Sequence, residues 1–479
     1  LAGLSGAIHL ARKGFRVDLF EQTSHLGGKM GELRLQGCRF DTGPSLLTMP
    51  FVLDDLFAAA GSRREELLTL LPLEPMCRYY FADGTRLDAS SDAARMDAAL
   101  AQLSASDAGQ FDLFMAYSRR IYEATAEVFL FTPIHEWRKL LQKNPLATLW
   151  RLPAIDAWHT VDGGVRRFFQ EERIVQLFDR YATYNGSNPF QAPATLNIIP
   201  YVEYGFGGYY IQGGMYRLVA ALAEIARKLG VRIHLGETVE EITLEQNRVS
   251  GVRVNGESFK TDRVLCNADV VTAFNRLLPG FAAERERLNR LEPSLSGMIF
   301  LWSVNRHHPE LAHHTLFFSG DYRREFAQIF HELRAPDDPT VYVAITSRAD
   351  PGDAPPGGEN WFVLVNMPYL RAGGSDPDPD AVRRTVLNKL RQHGLDLAGQ
   401  ITAEAVIRPR DFLEQYGSNG GSIYGISSNS RSMAFRRPAN RSRVVHGLFF
   451  AGGACHPGGG IPLVILSGKM AAELAAEME

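Results

Sequence analysis

The sequence predicts an α/β fold in which one layer of helices and strands is assembled from three separated stretches of chain, with long insertions forming a second domain between them. Three observations carry this reading. LAGLSGAIHLARKGFRVDLFEQ runs from a glycine-led helix through Gly14 into an alternating strand that closes on Glu21. GGYYIQGGMYRLVAALAEIARKLGVRIHLGETVEEI repeats that order of helix, glycine stop and strand. HGLFFAGGACHPGGGIPLVILSGKM is strand, glycine-rich loop and helix. The helical spacing and the alternation are the primary signals in each case.

In the opening stretch, Leu4, Ala7, Ile8 and Ala11 share one helix face, and Phe15, Val17 and Leu19 alternate as a strand. A G-x-G-x-x-G unit uses its third glycine for close helix–sheet packing, and an acidic residue about 20 positions later accepts hydrogen bonds from a ribose. Gly3 and Glu21 fit those two roles, which makes the layer Rossmann-type. On that reading the first two glycines and the buried strand before them lie upstream of Leu1, so the expectation is that the natural start is missing from this chain. HLGGKMGEL follows, where Gly27, Gly28 and Lys29 offer backbone N–H groups and a cation suited to a pyrophosphate. In FDTGPSLLTMP, Gly43-Pro44 forces a turn, and the small Thr42 and Ser45 let backbone approach a flat ring system.

From Phe111 to about Gln191 the chain becomes helix-like and rich in aromatics, including Phe111, Phe114, Tyr117, Trp137, Trp150, Trp158, Phe169 and Tyr181. Either a helical core or the wall of a long apolar site accounts for them. Met215, Leu218, Val219, Leu222, Ala226 and Leu229 then form a helix face, Gly230 stops it, and Val231, Ile233 and Leu235 alternate as a strand. ITLEQNRVSGVRV reads as a hairpin turning near Asn247, and RVLCNADVV as a further buried strand. Between Pro293 and Pro409, TVYVAITS and NWFVLVNM are strand-like, separated by a Pro/Gly-rich loop. Five glycines between Ala451 and Pro462 cost conformational entropy that a plain connector would not need. A helix beginning near Ile461 adds the positive end of its dipole there. The implied segments are 1–100 (nucleotide-binding, first part, with a short insertion of the second domain), 101–205 (helical), 206–280 (nucleotide-binding, second part), 281–410 (mixed sheet) and 411–479 (closing over the cofactor).

At 479 residues the chain exceeds a single core. Its 51 basic and 54 acidic residues create no field that would gather nucleic acid. Cys38, Cys77, Cys266 and Cys455 are far apart, which suggests reduced thiols in a cytosolic protein and no metal site. No run of about 18 apolar residues is present, so the protein is expected at most to lie on a membrane surface.

Gly3 with Glu21, HLGGKMG, FDTGPSLLTMP, GGMYRLVAALAEIA, CNAD, ADPGDAPPGGENWFVLVNMP and FFAGGACHPGGGIPLV together resemble the bacterial phytoene desaturase family of FAD-dependent carotenoid desaturases. HPGGGIPLV looks most like the branch acting on diapocarotenes and hydroxylated acyclic carotenoids. The resemblance implies an amine-oxidase-like flavoprotein, with a substrate domain of mixed sheet and helices and a hydrophobic tunnel reaching FAD. It implies that Gly3 packs the first helix, that Glu21 with Gln22 holds the adenosine ribose, and that Gly28 and Lys29 line the pyrophosphate. Thr42, Gly43 and Pro44 would flank the isoalloxazine, Val239 would meet adenine through its backbone, and Gly452, Gly453, Gly460 and Ile461 would close over the flavin. Lys29 stands where many members have arginine, keeping the charge and losing the bidentate fork.

The expected reaction is desaturation of a long acyclic carotenoid such as phytoene, diapophytoene or a hydroxylated carotene, by hydride transfer to flavin, with a quinone or oxygen as final acceptor. His456 and Glu203 are the two candidate bases, with direct proton loss to solvent as the third option. A carotenoid isomerase, an amine-oxidase-like enzyme and a flavin-free lipid-binding relative are the competing readings. VFLFTPIHEWRKLLQKNPLATLWRLP, with Arg138, Lys139, Lys143 and Arg151, has the composition of an interfacial segment that would dock the protein peripherally on the inner membrane; packing inside the helical domain is the alternative.

Overall fold

The computed structural model describes residues 1–136, 139, 155–430 and 436–478. Helix Ala2–Arg12 forms where the spacing predicts, and the chain reverses at Gly14 with φ +86°. The strand after it is shorter than its alternation: only Asp18–Glu21 pairs, parallel to Arg232–Leu235, with Leu19 opposite Ile233. A second parallel pair joins Val264–Cys266 to Leu448–Phe450. Helix Ile461–Ala476 crosses Ala2–Arg12 so closely that a Cβ on Gly468 would overlap the Ala2 carbonyl oxygen. A Cβ on Gly6 would lie 2.6 Å from Leu265 Cδ1. Leu4, Ile8, Leu218, Leu222 and Ile465 close the core between these helices and helix Tyr216–Lys228. An antiparallel three-stranded sheet, Val239–Glu245, Arg248–Val254 and Glu257–Lys260, reverses at Gln246 and Asn247 (φ 51° and 61°). That is the reversal expected near Asn247, since two successive positive-φ residues suit the right-handed twist of a tight hairpin.

The second domain centres on a seven-stranded sheet ordered Ile401–Ile407, Ser296–Val304, Glu359–Met367, Val341–Ile345, His314–Phe317, Cys77–Tyr80, Arg86–Ala89. All neighbours are antiparallel except His314–Phe317 with Cys77–Tyr80. Ser296–Val304 is buried along its whole length because both faces are covered. Met298, Phe300 and Trp302 face Val386 and Leu390 of helix Pro379–Gln392, while Ile299 and Leu301 pack with Phe40 and Phe412. Helices Gln110–Thr125, Glu172–Asp179 and Ile198–Phe206 contribute to an aromatic core in which Phe111, Phe114, Phe169, Phe178 and Tyr181 pack together. Both readings have a share: Phe111, Phe114, Phe169, Phe178 and Tyr181 interlock as core and do not line the cavity described below, whereas Tyr184 of the same stretch does. Trp158 is 72% exposed, and Trp137 and Trp150 lie outside the described residues.

A buried ionic network ties the two parts together. Arg39 donates to Asp353 Oδ1 (2.6 Å) and Asp41 Oδ1 (2.9 Å), and also to the Tyr210 hydroxyl. Asp41 Oδ1 in turn accepts the Met215 N–H (3.0 Å), anchoring the start of helix Tyr216–Lys228 to the strand that leads into Thr42-Gly43. Most of the interfacial segment, including Arg138, Lys143 and Arg151, lies outside the described residues; Lys139 Nζ pairs with Glu477 Oε1 at 2.6 Å. Among the described residues no helix is long and apolar enough to cross a membrane.

Candidate active site

A cavity of about 1530 Å³ lies where the two domains meet. Gly3, Glu21, Gln22, Gly28, Lys29, Thr42, Gly43, Pro44, Val239, Gly452, Gly453, Gly460 and Ile461 all line it. Residues from three distant stretches therefore converge on one wall, because the parallel strand pairs deliver their C-terminal ends to the same side.

Glu21 ends its strand with Oε1 accepting from Thr23 N and Thr23 Oγ1, both at 2.9 Å, so the carboxylate is oriented before any ligand arrives. Gln22 Nε2 donates to the Gln415 carbonyl at 2.8 Å, linking the first and last stretches. Lys29 Nζ donates to the carbonyls of Ile423 (2.7 Å) and Ser422 (3.1 Å), so the lysine tethers the 422–423 backbone while keeping its charge at the cavity. Burial pushes its pKa down to about 8, with Asp269 pulling it back up. Gly43 sits so close to the Lys29 backbone that a Cβ would overlap the carbonyl oxygen. Gly460, at φ +103°, is the N-cap of helix Ile461–Ala476, whose first turn faces the cavity without a capping side chain. A flat ring system, an acid-linked ribose and a pyrophosphate find the contacts they need here: backbone without side chains, an oriented carboxylate, and N–H groups at a helix start.

The lining that the sheet domain contributes is apolar at Met76, Ile299, Leu316, Phe362 and Leu364. Glu203 is 2% exposed and also lines the cavity, accepting the hydroxyls of Tyr181 (2.9 Å) and Tyr184 (2.6 Å). His456 is not among the lining residues. Its Nε2 lies 2.9 Å from the Thr132 carbonyl, and its own carbonyl accepts from Ser467 Oγ and Asn440 Nδ2. Burial pushes its pKa down to about 3, only partly offset by that carbonyl contact. The candidate base His456 therefore stands off the cavity lining, its ring turned into the packing beneath the glycine loop.

Sequence reasoning missed several cavity residues. Asp269, in CNAD, caps helix Val270–Arg276 through Val271 N (2.9 Å), a signature readable as an acid before an apolar helical run. Asn267 lines the same wall, and its Oδ1 would lie 2.9 Å from a Cβ on Gly3, which accounts for glycine there. Tyr342 and His314 are two more: the Tyr342 hydroxyl contacts Ser45 Oγ (2.6 Å) and His314 Nδ1 (2.7 Å), and no local pattern marks either of them as a partner of the FDTGPS turn.

This fold and site define a flavin-binding oxidoreductase. Residues 1–476 match the family described as flavin containing amine oxidoreductase, and the chain belongs to it; its cofactor is FAD. Among curated proteins, a 1-hydroxycarotenoid 3,4-desaturase from a Flavobacterium species is 35% identical over 475 residues, covering 99% of this chain and 97% of that one. A 4,4'-diapolycopene oxygenase from a Methylomonas species is 36% identical over 481 residues, covering 98% and 95%. Among solved structures, an oxidoreductase from Methanosarcina mazei superposes with a TM-score of 0.67 at 16% identity, covering 99% of this chain and 98% of that one. A putrescine oxidase triple mutant gives 0.63 at 13%, covering 98% and 96%. At such identities the structures share the fold.

Proposed function

We propose that this chain is an FAD-dependent carotenoid desaturase that removes hydrogen from neighbouring saturated carbons of a long acyclic carotenoid. One observation carries the reading: a single cavity is lined both by the glycine loops of the nucleotide-binding layer and by apolar side chains of the sheet domain. The full-length similarity to carotenoid-modifying enzymes supports the substrate class.

Bound FAD supplies the two-electron acceptor that takes a hydride from one carbon. The residues of the chain supply the rest. Glu21 holds the adenosine ribose, the Gly28–Lys29 loop the pyrophosphate, and the Thr42–Pro44 and Gly452–Ile461 loops the ring system. Leu316, Phe362 and Leu364 exclude water and lay the polyene against it. Glu203 is the carboxylate assigned to the departing proton. A membrane surface would deliver and receive the lipid, and a quinone or oxygen would be the final electron acceptor.

The reading is tested by incubating the purified flavoprotein anaerobically with liposomes carrying acyclic carotenoids. Bleaching of the flavin band, a shift of the polyene absorption to longer wavelength, and a product lighter by two hydrogens are expected. A product of unchanged mass but altered geometry would make the enzyme an isomerase, and a product heavier by oxygen an oxygenase; either replaces the proposal.

Two predictions concern the cofactor wall. Glu21→Ala removes an oriented charged acceptor and should raise the dissociation constant for FAD roughly 10- to 100-fold, measured by flavin fluorescence titration. For Lys29, whose pKa in the free protein is pushed down to about 8 by burial, bound pyrophosphate favours the charged form. The complex then holds more protons than the free protein, so FAD affinity should fall as pH rises above 8. Calorimetry in buffers of different ionisation enthalpy should register proton uptake there, and Lys29→Met should abolish it.

A further inference from the structure

Arg180 is only 5% exposed, yet it lines the cavity. Its guanidinium carbon lies 5.1, 4.8 and 5.1 Å from the ring centroids of Tyr79, Tyr181 and Tyr184. Nε donates to the Tyr79 hydroxyl (3.0 Å) and Nη2 to the Tyr184 hydroxyl (3.2 Å), with Glu203 Oε1 3.6 Å from Nη2. Nη1 has no hydrogen-bond partner among the described residues. Nη1 is not sealed in the protein: it is absent from the buried unpartnered donors, and its residue lines the cavity. Burying a guanidinium is costly even when it is paired. A wall serving only a hydrocarbon gains nothing from it, as Leu316, Phe362 and Leu364 nearby illustrate.

We propose that Arg180 receives an oxygen atom carried by the polyene, a hydroxyl or carbonyl group toward one end, through Nη1–H. The proposal rests on the carotenoid reading above and narrows it to oxygen-bearing substrates. Arginine has five donors and no acceptor, so the ligand atom must be a lone-pair acceptor. Glu203 balances the arginine charge, so a neutral oxygen is preferred over a carboxylate, which would leave a net charge in the low-dielectric chamber.

The test compares two acyclic polyenes of the same carbon skeleton, with and without a terminal hydroxyl, binding to the holoenzyme in detergent micelles. The readout is quenching of flavin fluorescence, which needs no turnover. The hydroxylated polyene should bind about 10- to 100-fold more tightly. In Arg180→Met/Glu203→Gln, which removes both charges so that neither is stranded, the two affinities should agree within about threefold. Equal affinities in the wild type overturn the proposal, as does a preference that survives in the double variant. Should that variant not fold, the wild-type comparison decides alone. If the wild type binds neither polyene, the carotenoid reading itself has failed and the role of Arg180 fails with it.

Discussion

Replacing Gly43 by alanine should leave a protein that folds but no longer retains flavin, with FAD affinity reduced by about 100-fold or more. The added Cβ would overlap the Lys29 carbonyl oxygen and stand 2.9 Å from the carbonyl carbon, so backbone must yield on one side or the other. Both sides are cavity wall: Lys29 carries the tether to the 422–423 backbone, and Thr42, Gly43 and Pro44 form the turn. Overpacking of this kind costs about 1–3 kcal/mol in stability, which a chain of this size survives, while a displacement near 1 Å at a cofactor wall is enough to lose binding. Gly280→Ala is the control, because nothing lies within 4 Å of its Cβ and it does not line the cavity. An absorbance spectrum and a flavin titration of the two variants decide. If Gly43→Ala binds FAD like the wild type, the Thr42–Pro44 turn is not part of the cofactor wall.

Glu203→Leu should be the most destabilising single change in the chamber, by about 3–5 kcal/mol, because it leaves the Arg180 guanidinium buried without its counter-charge. Glu203 also accepts the Tyr181 and Tyr184 hydroxyls, whose partners would be lost together. The rings around Arg180 do not replace that charge. Arg180→Met/Glu203→Leu removes both charges and should recover most of the loss, since a buried pair replaced by apolar residues of similar volume is close to neutral. Chemical denaturation of the two variants beside the wild type measures the difference. If Glu203→Leu costs less than about 1 kcal/mol, the pair is solvated and the chamber is wetter than its apolar lining implies.

The two parts of the molecule were unequally legible. Gly3, Glu21, Lys29, Gly43 and Gly460 could be found because each belongs to a short run whose glycines, charge and flanking helix or strand report the local backbone. The chamber left no such trace. Arg180, Tyr342 and His314 lie on separate elements, and nothing in RYATYNG, TVYVAI or HHTLF says that they meet. His456 shows the same limit from the other side: its neighbours in sequence are cofactor-loop glycines, yet its ring is turned onto Thr132. Phe114, Phe169 and Phe178 read equally well as core or as wall until their packing against one another made them core.

What the sequence by itself determined was the backbone of the nucleotide-binding half: a Rossmann-type layer in three pieces with glycine loops at its strand ends, FAD following from the family resemblance that those motifs carry. Those features depend on backbone conformation over a few residues, which local sequence dictates through glycine, periodicity and capping. What only the tertiary structure decided was the rest of the cavity lining: that Glu203 is part of it, that His456 is not, and that a buried arginine stands there among tyrosines. Side-chain environment in the interior is set by which distant elements pack together, and burial, pairing and charge balance follow from that packing rather than from any run of neighbouring residues.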